Sequence, residues 1–210
     1  MKVNNTGKKN ICVFCSSSNT LAKEYYEDAE ILGALLAKSG FNIVYGGSNV
    51  GTMYSVAKSA KNHGAKIYGV MPEKLYNFGV YSEECDEFFL TEDMRSRKTK
   101  LDELSNGIIA MAGGFGTLEE TSEILCHKQL GYHNKPIVFL NTNGFYDNLF
   151  EFFENIVKES FAKHTATELY YVASTPQDAV NYLLNYDYTQ KEVKPEDIYT
   201  YYIDKNEICV

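Results

Sequence analysis

The sequence predicts an α/β protein: a single Rossmann-like, doubly wound domain on a mostly parallel sheet of about seven strands. Three observations carry the prediction. Short apolar runs alternate with longer amphipathic segments, the pattern of right-handed βαβ crossovers. The chain has 210 residues, which suits one large domain with a substantial core. Glycine- and hydroxyl-rich stretches follow several of the apolar runs, and in open α/β sheets ligands sit beyond the carboxyl ends of the strands.

The elements follow in order. Strands are expected at 11–15 (ICVFC), 42–45 (NIVY), 66–70 (KIYGV), 86–90 (DEFFL), 108–111 (IIAM), 136–140 (PIVFL) and 169–172 (LYYV). Helical periodicity covers 21–39, 50–63, 93–105, 117–130, 145–160 and 176–185. Residues 72–85 form the one long connection. Residues 1–185 are expected to make the Rossmann-like domain, and 186–210, rich in tyrosine and acid, a C-terminal extension.

Composition narrows the function classes. Hydrophobic residues make up 44% and charged residues 23%, as in ordinary globular proteins. The net charge of −8, without a long basic block, argues against nucleic-acid binding, which rests on cationic contacts to phosphates. No apolar run is long enough to span a bilayer and the start lacks a signal-peptide stretch, so a cytoplasmic location is expected. The cysteines (Cys12, Cys15, Cys85, Cys126, Cys209) are odd in number and scattered, against a disulfide framework. "CVFC" lies in a strand, where residues three apart face opposite sides of the sheet, so two buried thiols are expected rather than a redox pair. The histidines (His63, His127, His133, His164) show no zinc-type spacing, and no metal is expected.

Three loops carry phosphate chemistry. "CSSSNT" (Cys15–Thr20) follows the first strand, where its hydroxyls cap a helix or bind an anion; Ser17 is a candidate ligand. "YGGSNVGTM" (Tyr45–Met53) nearly makes a Walker A loop but lacks the lysine that reaches a triphosphate; Gly46 and Gly47 remain candidates for a monophosphate site. "AMAGGFGTLEE" (Ala110–Glu120) begins like a dinucleotide fingerprint and ends in Glu119, where helix–strand packing needs glycine. The N–H groups of Gly113 to Thr117 at a helix start can hold one phosphate, and a purely structural glycine turn is the alternative. Glu119 and Glu120 are expected in the first helical turn, which the dipole favours. Being about 100° apart, one faces a neighbour while the other faces the cleft. A carboxylate there reaches the sugar and stabilises a developing cation.

Only two of the 20 cationic residues are arginines, Arg95 and Arg97, both in "DMRSRK". Arginine offers a bidentate fork that lysine lacks. On the helix expected at 93–105, Arg97 and Lys98 fall within the apolar stripe of Met94, Leu101 and Leu104, and Arg95 falls outside it. Inward-facing cations need anionic partners: Glu119 or Glu120, a bound phosphate, or both. Side chains snorkelling at the stripe edge are the plainer reading.

"DMRSRK" followed by "AGGFGTLEE", with "FCSSS", "VYGGSNVGTM" and "QLGYHNKPIVFLNTNGFYDNLFEFF", closely resembles the Lonely Guy (LOG) family over roughly residues 10–185. Its members are cytokinin riboside 5′-monophosphate phosphoribohydrolases, often labelled lysine decarboxylases. The resemblance rests on paired motifs, M-x-x-R-K and P-G-G-x-G-T-x-x-E. It implies a homodimeric enzyme that hydrolyses the N-glycosidic bond of an adenosine 5′-monophosphate, often N6-modified, to free base and ribose 5-phosphate, without a cofactor. It places the catalytic pair on Arg97 and Glu120, and Lys98, Gly113, Gly114, Gly116, Thr117 and Glu119 in the nucleotide-binding motif. Ala112, Ser48, Thr52, Cys126 and His127 depart from the family pattern and bear on base specificity. A non-catalytic protein of the same fold, binding a nucleotide or a molybdenum cofactor, is the alternative.

Overall fold

The computed structural model describes residues 9–189. Cys209, and residues 190–210 of the expected C-terminal extension, lie outside the described residues. Seven strands form one sheet: β1 (Asn10–Phe14), β2 (Asn42–Tyr45), β3 (Ile67–Pro72), β4 (Glu87–Thr91), β5 (Gly107–Ala110), β6 (Ile137–Leu140) and β7 (Tyr171–Ala173). Their spatial order is β4-β3-β2-β1-β5-β6-β7, and all six pairings are parallel. β1, β2, β3, β5 and β6 are buried throughout, while the edge strands β4 and β7 are partly exposed. Burial on both faces is why the central strands read as unbroken apolar runs.

The helices are α1 (Lys23–Lys38), α2 (Gly51–Asn62), the single turn α3 (Glu73–Tyr76), α4 (Met94–Leu104), α5 (Phe115–Gln129), α6 (Asp147–Lys158) and α7 (Pro176–Asn185). One core cluster joins the sheet to α1, α2 and α7 through Leu32, Leu36, Val56 and Val180. A second, on the opposite face, joins it to α4 and α5 through Leu101 and Ile124. Cys12 belongs to the second cluster and Cys15 to the first, so the two thiols do face opposite sides of the sheet. Burial pushes both thiols up, Cys15 to about 12, which leaves them protonated at neutral pH.

Strand order reverses between β1 and β5, and this is the topological switch point. β4 stands at one edge of the sheet and β5 beside the centre, so α4 must cross the face between them. α4 starts just beyond the carboxyl end of β4 and packs over β3, β2 and β1 on its way to β5, so its first turn lies at the carboxyl-end level of the sheet. No helix among the described residues is long and apolar enough to cross a membrane.

Two expectations need correction. Met94 is 45% exposed and does not join the core, because it is the first residue of α4. The serines after β1 do not cap α1: its N-cap is Ala22, without a side-chain cap. They fold the loop on itself instead, the Ser16 hydroxyl accepting from the Ser18 N–H at 3.0 Å.

Candidate active site

α4 starts with Asp93 as its N-cap. The Asp93 carboxylate accepts the Ser96 N–H at 2.8 Å, and the Ser96 hydroxyl accepts the Asp93 N–H at 3.1 Å, a reciprocal capping box. The bonds from Ser96 hold the Asp93 carboxyl below its ordinary range. An ionised cap offsets the cost of putting Arg95, Arg97 and Lys98 near the positive end of a helix. It also fixes the first turn, and so the direction of Arg97.

Arg97 points inward and is only 7% exposed. Its Nε donates to the Val70 carbonyl at 3.1 Å, in the carboxyl half of β3. Its Nη1 donates to Glu120 Oε1 at 2.5 Å. Gly46, just past β2, makes room for this fork: a Cβ there would stand 2.6 Å from Arg97 Nη2 and 2.7 Å from the Met53 sulfur. Gly47 lies instead against the Phe88 ring, where a Cβ would stand 2.9 Å away. Arg95 is exposed.

Glu120 is 7% exposed as well. Burial pushes its carboxyl above the ordinary carboxylate range; Arg97 pulls it back and the nearby Glu119 charge pushes the same way as burial. The carboxylate is therefore both buried and charge-paired, the setting that tunes catalytic carboxyls toward neutral pH.

Glu119 and Glu120 divide as helical geometry requires, but not where the dipole would put them. α5 begins at Phe115 with Gly114 as N-cap, two residues before the expected start, so Glu119 and Glu120 occupy its fifth and sixth positions, beyond the first turn. The dipole falls off within one turn and does not account for either acid. Cation pairing does. Glu120 takes Arg97, while Lys98 bridges Glu119 and Glu123. Those two bonds raise the Lys98 ammonium above its ordinary range. Glu123 was not singled out from the sequence; the signal was its i+4 spacing from Glu119, which puts both on one helical face.

The glycine turn lies between β5 and α5. Gly113 is partly buried; Gly114 and Gly116 are exposed. A Cβ at Gly113 would stand 2.2 Å from the Thr117 hydroxyl, so the turn needs glycine there to close on the helix. Thr117 is buried and its hydroxyl donates to the Cys15 carbonyl at 3.1 Å. Hydrogen bonding along α5 begins with the Leu118 N–H, which reaches the Gly114 carbonyl at 3.1 Å. The N–H groups before it face the open end of the helix, an anion-binding arrangement.

The two remaining loops are tied to each other. The Gly51 N–H donates to Asn19 Oδ1 at 2.8 Å, the Met53 N–H to the Ser16 carbonyl at 3.1 Å, and the Ser16 N–H to the Thr52 hydroxyl at 3.1 Å. Gly51 has φ +66° and a Cβ there would stand 2.3 Å from the Ser16 carbonyl. The Walker-like spacing thus serves close packing of one loop on another. Ser17 is exposed at the tip of the first loop. Among the described residues no group of three or more His, Cys, Asp and Glu is placed to hold a metal ion.

A family model described as possible lysine decarboxylase matches residues 53–183. The Oryza sativa subsp. japonica protein named probable cytokinin riboside 5′-monophosphate phosphoribohydrolase LOGL6 is 36% identical over 188 residues, covering 90% of this chain and 75% of that protein. The Arabidopsis thaliana cytokinin riboside 5′-monophosphate phosphoribohydrolase LOG3 is 35% identical over 178 residues, 85% of this chain and 83% of that protein. Among solved structures, the molybdenum cofactor binding protein of Rippkaea orientalis has a TM-score of 0.66 at 25% identity, covering 84% of this chain and 96% of that one. The Moco carrier protein of Chlamydomonas reinhardtii has a TM-score of 0.64 at 25% identity, with the same coverage.

Proposed function

The chain belongs to the LOG family, the cytokinin riboside 5′-monophosphate phosphoribohydrolases, and from that membership we propose that it hydrolyses the N-glycosidic bond of an adenosine 5′-monophosphate, including N6-modified forms. Water adds to the anomeric carbon, the bond to the base nitrogen breaks, and the products are free base and ribose 5-phosphate. The observation that carries the proposal is the buried Arg97–Glu120 pair beside a glycine turn at the switch point.

Each group has a role. The open N–H groups at the start of α5 hold the 5′-phosphate. Glu120 faces the sugar, where cleavage passes through an oxocarbenium-like state; its carboxylate stabilises that charge and takes a proton from the attacking water. A carboxyl raised by burial is a better base than an exposed one. Arg97 orients Glu120 through a charge-assisted bond while Val70 fixes the guanidinium from the other side. Lys98 neutralises Glu119 and Glu123, which keeps a second carboxylate from repelling the phosphate.

The decarboxylase description finds little support in the lysines. A Schiff-base lysine needs its amine form. Lys98 is raised by its two carboxylates. Lys128 is pushed down to about 8 by burial, but it lies in the last turn of α5, roughly 16 Å along the helix from Thr117. A second reading, a carrier of a molybdenum cofactor, has the likeness to the two cofactor-binding proteins behind it.

Homodimerisation is part of the proposal. α6 has no fully buried residue although Phe152, Phe153, Ile156 and Val157 lie on it, and these four line a cleft of about 350 Å³ that runs between α6 and α5. An apolar face left this open suits a second copy.

The test is chromatography of products from AMP and N6-isopentenyl-AMP, with Glu120→Gln as control. Free base and ribose 5-phosphate from the wild type, reduced at least about 100-fold in the folded variant, support the hydrolase. Tight nucleotide or cofactor binding without product supports the carrier.

A further inference from the structure

The two strands that flank the switch point end in the same way. Phe14 and Ala110 are the last paired residues of β1 and β5. One residue beyond each, a side-chain hydroxyl closes the strand. The Cys15 carbonyl accepts from the Thr117 hydroxyl at 3.1 Å, and the Met111 carbonyl accepts from the Tyr146 hydroxyl at 2.6 Å. The glycine turn starts directly after Met111 and runs into α5, whose third residue is Thr117. It is therefore held at both ends, by groups that come from α5 itself and from the connection after β6.

Tyr146 lies outside the paired arginine and glycine–glutamate motifs. It is 5% exposed, its N–H donates to Asn141 Oδ1 at 2.8 Å, and its ring meets Phe139, Phe145 and Phe150. Those neighbours are phenylalanines, so packing there does not call for a hydroxyl. What the hydroxyl adds is the bond to Met111, at the one carbonyl whose direction decides where the turn departs. Without it that carbonyl is buried beside aromatic rings and loses its partner.

We propose that Tyr146 and the Thr117 hydroxyl are positioning residues, clamping the glycine turn so that its N–H groups meet the substrate phosphate while the sugar lies at Glu120. The proposal rests on the hydrolase reading and gives Thr117 a different task from direct contact through its side chain. A turn that is free to shift by about half an ångström loses the alignment of several N–H donors at once.

The experiment compares wild type, Tyr146→Phe, Thr117→Val and Thr117→Ser by steady-state kinetics on AMP and N6-isopentenyl-AMP, and by hydrogen–deuterium exchange over residues 111–118. Tyr146→Phe and Thr117→Val are expected to raise KM about tenfold with kcat changed by less than about threefold, the pattern of lost ground-state binding. Thr117→Ser keeps the hydroxyl and recovers most of the loss. Amide exchange is expected to quicken in the turn and not in α7. Wild-type KM and unchanged exchange in Tyr146→Phe would overturn the proposal, and so would a fall in Tm without a change in KM. If the wild type turns over neither nucleotide, the hydrolase reading fails by itself. Exchange then decides the clamp: faster exchange confined to the turn supports it, and no change refutes it.

Discussion

Replacing Arg97 with methionine tests whether the pair at the switch point is one energetic unit. The two side chains are each 9% exposed and 2.5 Å apart. Methionine fills most of the volume but removes the charge, the bond to Glu120 and the bond to Val70. A buried carboxylate that loses its cation costs about 3–5 kcal/mol. For a protein of this size that is on the order of 10 °C in Tm. The cost has a pH signature with a definite sign. The Glu120 carboxyl already lies above its ordinary range because burial disfavours its charge, and loss of Arg97 raises it further. Protonation removes the buried charge, so the penalty is full above the raised pKa and shrinks as pH falls through it toward the ordinary carboxylate range. Urea unfolding of wild type, Arg97→Met, Glu120→Gln and the double variant at pH 8 and pH 5 measures this. The double variant exchanges the ion pair for uncharged groups and is expected to be more stable at pH 8 than Arg97→Met alone, with a coupling of at least about 2 kcal/mol. Additive losses within about 0.5 kcal/mol, or a penalty that does not change with pH, would refute the coupled-pair account.

Two further outcomes follow from the same geometry. If Glu120 works as a carboxylate, kcat/KM falls as pH drops through its raised pKa; Glu119→Gln removes a charge that raises it and shifts this limb to lower pH, whereas Lys98→Met removes a charge that lowers it and shifts the limb upward. Shifts in the same direction in both pH–rate profiles would count against Glu120 as the titrating group. Gly46→Ala and Gly51→Ala are expected to separate function from fold. At Gly46 the new methyl meets the flexible ends of Arg97 and Met53, so activity falls at least about tenfold with a Tm loss of only a few degrees, while at Gly51 it meets the Ser16 backbone at positive φ and mainly lowers Tm. Equal effects on kcat/KM and Tm in the two variants would argue against that division.

Much of the architecture was legible because periodicity and burial speak the same language. Among the described residues, all seven strands and six of the seven α-helices fall at the positions the pattern indicates, with ends shifted by a few residues. The missed helix, α3, is a single turn of four residues in the long connection, too short for any period to register. Met94 misled because it satisfies the spacing of the stripe while sitting at the exposed start of α4. The pattern puts the start of α5 two residues late because Gly116 reads as part of the turn, yet it is helical.

The site divides along the same line. Sequence by itself determined that two cations would face inward from the helix after β4 and that two acids would follow the glycine turn, since residue types and helical spacing decide this locally. Spacing left open which cation takes which acid, and the family resemblance set Arg97 with Glu120 without the contacts that hold them there. Those contacts were decided by the crossover of α4 from the sheet edge to its centre, which sets Arg97 between Val70 and Glu120 and leaves Lys98 to Glu119 and Glu123. Gly46, Cys15 and Tyr146 reach the site from three other connections, with Tyr146 and Met111 35 residues apart in the chain. Such contacts have no period to read. They exist because a parallel sheet gathers the carboxyl ends of all its strands at one end, wherever those strands lie in the sequence.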